Sequence, residues 1–304
     1  MENGHGRREE GARVYPTDKV KSPVHLSIGQ EGIAVGVCEA LRPDDIVFGT
    51  YRGHAVYLAK GGDLNQMVAE LYGKDTGNAR GKGGSMHLVD VPHGVMGTSA
   101  VVGTTIPHAV GYAYALRLQK RDQIVVSFFG DGATEEGVWA ESMNFAALKK
   151  LPVLFICENN FYAVHSHVSA RQATDDICAR ARAFGVPAER IDDDVVALYE
   201  TVARVTAEMR RTGEGPYMIE VRAYRWKEHV GPNEDYQYGY RSNEEWAPWK
   251  QNDQVARLAA LLDGAVRGRI EAEVEASIAA AFAYAEESPF PDGAELYTDV
   301  FVEA

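Results

Sequence analysis

The sequence predicts an α/β fold with a mainly parallel sheet and helices on both faces, followed by a C-terminal helix and tail. Three observations predict it. Ile124-Val125-Val126-Ser127-Phe128-Phe129 is a short apolar run with no alternation, Val153-Leu154-Phe155-Ile156-Cys157 is a second, and Tyr217-Met218-Ile219-Glu220-Val221 reads as a third strand. Such runs mark strands buried on both faces. Helical stretches at 134–149 and 193–210 alternate with them, the order that builds a helix-covered sheet. Finally, 304 residues of which 45% are hydrophobic suffice for one full core and a terminal appendage.

Taken in order, residues 1–20 read as a polar N-terminal arm, 21–250 as the α/β domain and 251–304 as a C-terminal helix and tail. The spacing predicts helices over about 29–41 and 63–72, and a short apolar run at Ile46-Val47-Phe48. Residues 77–97 carry six glycines among Met86, Leu88, Val89, Val95 and Met96, which predicts a long, ordered, functional loop. Further helices are expected at 104–119 and, Ala/Glu-rich, from about 254 to 286.

Lys plus Arg number 31 against 44 Asp plus Glu, a net charge of −13. That balance argues against a nucleic-acid surface. Any phosphate site must then be built locally from helix N-termini, a metal and a few cations. No stretch reaches the length of a membrane span, and the N-terminus has no apolar segment of the secretory kind. Cys38, Cys157 and Cys178 form no CxxC pair, and Cys157 lies in an apolar run as a buried small residue. A reducing compartment fits. The chain is read as soluble and cytoplasmic.

The chemistry concentrates in one βαβ unit, 124–157. Gly130-Asp131-Gly132 follows its first strand and Asn159-Asn160 its second. A helix of this length spans about 24 Å, which suits a return across a sheet. Neighbouring strands lie about 5 Å apart, so Asp131 and Asn160 can reach one ion at the carboxyl ends of the strands, where open α/β sheets bind ligands. Magnesium takes oxygen ligands, usually one or two carboxylates with phosphate oxygens. Asp131 supplies the anionic oxygen, the Asn160 amide a neutral one, and the Tyr162 carbonyl a third. Gly130 and Gly132 allow a sharp turn and close approach of a phosphate, and the N–H groups near Ala133 and Thr134 face the anion. Gly-Asp-Gly alone would be an ordinary turn; its pairing with Asn-Asn across one crossover helix points to a magnesium–diphosphate clamp.

These residues resemble a known family. Gly130-Asp131-Gly132-Ala133-Thr134-Glu135-Glu136-Gly137 and Glu158-Asn159-Asn160-Phe161-Tyr162-Ala163 are similar to the thiamine diphosphate motif of the alpha subunit of two-chain 2-oxo acid dehydrogenases, which include the pyruvate, acetoin and branched-chain enzymes. Pro23 to Glu31, Thr50 to His54, Gly81 to His87 and Tyr224 to His229 match further segments in the same order, from about Pro23 to the C-terminus. The resemblance implies a thiamine diphosphate-binding fold with thiamine diphosphate and Mg2+ as cofactors. It implies that Tyr51, Arg52 and Arg225 contact the diphosphate, that Asp131, Asn160 and Tyr162 bind magnesium, that Val102, followed by Gly103, supports the cofactor, and that His25 and His229 face the reacting groups. Apart from the resemblance, the alternative for Val102 is an ordinary core residue, and the alternative for His25, the weaker of its two readings, is a buried structural histidine.

It further implies a beta subunit that carries the aminopyrimidine-binding domain, an assembly of two alpha and two beta chains, and a lipoyl group on an acyltransferase core as acyl acceptor. The alpha chain alone is then expected to be inactive. Ser288 to Leu296-Tyr297 and Val300-Phe301 are similar to the family's tail and suit a partner. Departures are local: Val230 stands where mammalian pyruvate enzymes carry a regulatory serine, and the segments 164–167 and 231–241 are unlike the mainstream pyruvate enzymes. A second reading therefore stays open, a thiamine-dependent carbon–carbon ligase or ketol or acyl transferase in sugar or natural-product biosynthesis. A scaffold subunit without cofactor is opposed by the intact Asp131, Asn160 and Arg225.

Overall fold

In the computed structural model, which describes residues 14–298, the apolar runs become strands of one six-stranded parallel sheet. In chain order the strands are β1 (Ile46–Thr50), β2 (Val95–Ser99), β3 (Val125–Gly130), β4 (Val153–Asn159), the two-residue pair β5 (Tyr162–Ala163) and β6 (Ser166–His167), β7 (Ala188–Asp192) and β8 (Tyr217–Arg222). The sheet order is β2-β1-β3-β4-β8-β7; β5 and β6 form a separate antiparallel pair. Helices are α1 (Glu31–Cys38), α2 (His54–Ala59), α3 (Leu64–Leu71), α4 (Thr105–Leu118), α5 (Gly137–Lys149), α6 (Ile177–Ala183), α7 (Val195–Thr212), α8 (Asn243–Gln251), α9 (Gln254–Ala259) and α10 (Gly264–Glu287). Of the expected arm, Met1 to Arg13 lie outside the described residues, as do Val300 and Phe301 of the tail.

The absence of alternation in β3 and β4 has a direct cause. Successive side chains point to opposite faces, and both faces are packed. Val126, Phe128, Leu154 and Ile156 join a core with α1, α3, α7 and α10, whereas Val125, Phe129, Val153, Phe155 and Cys157 join a second core with α4, α5 and α6. Cys157 is thus a buried core residue, and all three cysteines are free and buried. Among the described residues no helix is long and apolar enough to cross a membrane.

Caps set the helix ends. Asp63, Asp176 and Asp194 each accept a backbone N–H from the first turn of α3, α6 and α7. Gly213, at φ 68°, ends α7 in the left-handed conformation. The expected single helix over 254–286 is instead two. Asp263 turns out of the helical path and accepts the Ala265 N–H at 2.9 Å, which starts α10 afresh. The expected helix 134–149 begins only at Gly137, after a 3-10 turn over Asp131–Glu135. There the Thr134 carbonyl accepts from Arg180 rather than from a helical amide.

The glycine-rich stretch is not all loop, since it ends in β2, an edge strand paired with β1. Its first half is organised by one carboxylate. Glu70 of α3, fully buried, accepts the N–H groups of Ala79 (2.8 Å) and Gly81 (2.9 Å) on Oε2 and those of Gly83 (2.8 Å) and Gly84 (2.9 Å) on Oε1. A Cβ on Gly77 would lie 2.4 Å from Glu70 Oε2, so the chain can pass only as glycine. The C-terminal end closes on the same region: Lys74 Nζ donates to the Ser288 carbonyl at 2.8 Å and the Asp75 N–H to that of Pro289 at 3.0 Å.

Candidate active site

A cavity of about 270 Å3 opens at the carboxyl ends of β1 to β4. Its wall takes Thr50, Tyr51 and Arg52 from beyond β1, Val102 and Gly103 from beyond β2, Gly130, Asp131, Gly132 and Ala133 from β3 and its turn, and Glu158, Asn160 and Tyr162 from β4 and beyond, with His229 at one side. β3 and β4 are adjacent and parallel, with Gly130 opposite Glu158, so Asp131 and Asn160 emerge side by side as the spacing required. Of the site residues expected from the sequence, the cavity brings together all but His25 and Arg225.

Asp131 is buried, and burial lifts its carboxyl above the usual range while the Arg171 guanidinium, which pairs with it, pulls it back. Asn160 Oδ1 accepts the Tyr162 N–H at 3.1 Å, and its Nδ2 donates to Gln30 Oε1 at 3.0 Å. One lone pair of the amide oxygen stays available. A Cβ on Gly132 would stand 2.9 Å from Ala163 Cβ, so the turn also needs glycine for space. Among the described residues no cluster of three or more His, Cys, Asp and Glu side chains is placed for a metal. One carboxylate, one amide oxygen and a carbonyl make a different set, which would fit a hard divalent cation if ligand oxygens completed it.

Arg52 is buried against the Leu26 carbonyl (2.7 Å), and burial lowers its pKa to about 10, which leaves it a cation at neutral pH. Beside it the rings of His25, Tyr51 and His229 form a triangle. Centroids lie 4.4 Å apart for His25–Tyr51, 5.0 Å for His25–His229 and 5.6 Å for Tyr51–His229. Burial first, then the Arg52 charge, brings both histidine pKa values down to about 3, so both rings are neutral. Nδ1 of His25 is buried without a partner. The two histidines are brought together by backbone pairing of their segments: the Trp226 N–H donates to the Ile28 carbonyl (3.0 Å) and the Gly231 N–H to that of Val24 (2.8 Å). Gly29 sits between them at φ 90°, and a Cβ there would strike Trp226 at 2.3 Å.

Arg225 stands behind the cavity wall, close enough for its charge to act on Tyr51, Arg52 and His229. It is buried, donating to Asp235 (3.2 Å), the Tyr240 hydroxyl (2.9 Å) and the carbonyls of Lys227 (2.6 Å) and Val164 (3.0 Å). With Arg241, which donates to Asp235 at 2.6 Å, it anchors the 231–241 loop. Sequence reasoning missed Gln30, Glu135, Glu158 and Arg171. Glu158 lines the cavity with its pKa raised to about 7 by burial, against the pull of Arg52. Glu135 lines it too, and Arg171 bridges Glu135 and Asp131. Nothing local in the sequence distinguishes Arg171 from a solvated loop arginine.

A family model described as dehydrogenase E1 component matches residues 8–293. The chain is 38% identical over 285 residues to the alpha subunit of acetoin:2,6-dichlorophenolindophenol oxidoreductase of Bacillus subtilis, covering 92% of this chain and 84% of that one. It is 34% identical over 303 residues to the pyruvate dehydrogenase E1 component subunit alpha of Rhizobium meliloti (97% and 86% covered) and 33% identical over 307 residues to that of Porphyra purpurea (96% and 88%).

Proposed function

From the premise that this chain belongs to the dehydrogenase E1 component family, we propose that it is the alpha subunit of a thiamine diphosphate- and magnesium-dependent enzyme that decarboxylates a 2-oxo acid and passes the acyl group to a lipoyl acceptor on an acyltransferase core. The observation that carries this reading is the emergence of Asp131 and Asn160 from adjacent parallel strands beside the buried cation Arg52 and two neutral histidines. When bound, thiamine diphosphate supplies a carbon nucleophile and an electron sink for decarboxylation.

The chain's own residues bind and orient. Asp131, the Asn160 amide oxygen and the Tyr162 carbonyl hold magnesium. Tyr51, Arg52 and the amides around Gly132 and Ala133 meet the diphosphate. Val102 and Gly103, at the mouth, support the rest of the cofactor, where Val102 is 44% exposed. His25 and His229, neutral at working pH, are able to accept or return a proton at the reacting groups. Arg225, held by Asp235 and the Tyr240 hydroxyl, adds a second cation on the diphosphate side in this reading and also fixes the loop that follows His229.

The cavity is open where Val101 and Val102 are exposed, and a beta chain bearing the aminopyrimidine-binding domain closes it in this reading. Buried free cysteines suit a reducing cytoplasm. The test is co-expression with the beta chain, followed by calorimetric titration with thiamine diphosphate in the presence and absence of Mg2+ and a screen of 2-oxo acids with an artificial electron acceptor. Binding that needs Mg2+, and turnover that needs both chains, is expected. Binding indifferent to Mg2+ would sink the reading.

A further inference from the structure

The carboxylate assigned to magnesium already has a cation. Arg171, whose side chain is 11% exposed, pairs with Asp131 Oδ2 through one guanidinium nitrogen and with Glu135 through another. It comes from the turn after β6, where its Nε donates to the Ser166 carbonyl at 3.0 Å. The neighbouring residue supports the same bridge, since Gln172 Nε2 donates to Glu135 at 2.9 Å and to the Thr134 hydroxyl at 3.2 Å. Arg180 Nη1 donates to that hydroxyl at 3.0 Å. The Gly-Asp-Gly turn is therefore bolted to the 166–180 segment by side chains, and the bolt ends on the metal-binding carboxylate.

A buried carboxylate without a cation is costly, and the Arg171 ion pair offsets that cost at Asp131. The same pair opposes the metal. A guanidinium and a divalent cation beside one carboxylate repel, and the low-dielectric site strengthens that repulsion. Glu135 offers the guanidinium a second seat on the same side of the cavity.

We propose that Arg171 is a built-in competitor for the divalent cation at Asp131, a positioning residue that shifts its weight onto Glu135 when the metal is loaded and so sets how much metal the chain requires. The inference rests on the magnesium–diphosphate reading above.

The experiment titrates the full chain, together with its beta partner, with Mn2+ at saturating thiamine diphosphate. Mn2+ stands in for magnesium because its free-ion EPR signal disappears on binding. Arg171→Met is expected to lower the half-saturating Mn2+ about five- to tenfold, with the thiamine diphosphate requirement at saturating Mn2+ unchanged within twofold. Arg171→Lys, which restores the charge, is expected to return it to within twofold of the parent. Glu135→Gln is expected to raise it, and to lose that effect in the Arg171→Met background. Should Arg171→Met fail to fold by circular dichroism, Arg171→Gln carries the same expectation. An unchanged or raised Mn2+ requirement in the uncharged variant would overturn the competition. If the parent complex itself bound no Mn2+ with thiamine diphosphate, the functional reading would fail instead, and the two failures are distinguishable.

Discussion

Asp131 is held by one cation and suited to another, and this duality makes its substitution informative. Asp131→Ala removes the anionic oxygen of the clamp and leaves Arg171 with Glu135 alone. Magnesium-dependent binding of thiamine diphosphate should fall by at least two orders of magnitude in calorimetry; an unchanged affinity would refute the metal role. The histidine pair gives a prediction with a definite sign. His25 and His229 have folded-state pKa values near 3, below the ordinary 6.5. Above 6.5 both are neutral, folded or unfolded, and neither contributes to the pH dependence. Between 6.5 and 3 the unfolded chain takes up protons that the folded one refuses, so their contribution makes stability fall as pH falls through that window. Replacing either by Asn should flatten the loss of Tm between pH 7 and pH 5. An equal loss in the variant would mean that the ring is already exposed and free to protonate.

At the scale of elements, caps and carboxylates carry testable loads. Asp194 caps α7 through two N–H groups at 3.0 Å each, and Asp194→Ala should cost about 1 kcal/mol in urea unfolding. Glu70→Ala leaves four backbone N–H groups without their acceptor, at about 1–3 kcal/mol for each that stays buried, and should expose residues 77–87 to proteolysis. Central strands were legible because their apolar runs are packed on both faces. The edge strands were not. β2 is Val95-Met96-Gly97-Thr98-Ser99 and β7 is Ala188-Glu189-Arg190-Ile191-Asp192, and on an edge half-exposed polar residues erase the run that marks a buried strand. α2 and α6, of six and seven residues, are too short to show a helical period. The break between α9 and α10 was written in Asp263-Gly264, an N-cap signal that the Ala/Glu-rich background masked. The site was legible where a short local motif carries it, as at Gly132, where a Cβ would meet Ala163, and at Asp131 and Asn160, which follow adjacent strands. Arg171 and Glu135 escaped because their roles depend on tertiary pairing between segments.

For the molecule as a whole, the sheet divides two cores and carries the site at one end, so stability and function are tested separately. Phe155→Ala, in the core of α4, α5 and α6 and away from the cavity wall, should cost about 3–5 kcal/mol in denaturant unfolding. The cofactor affinity of the fraction still folded should hold.

The run from Gly77 to Gly84 converges four backbone N–H groups on a single anion, the arrangement by which a nest of amides captures phosphate. Here the anion belongs to the protein. The Glu70 carboxylate acts as an internal mimic of a phosphate, tethered by its own helix and present at an effective concentration no free ion can match. Inorganic phosphate would have to evict a covalently attached rival, so the nest is a structural lock, and a diphosphate must be met by amides elsewhere in the chain.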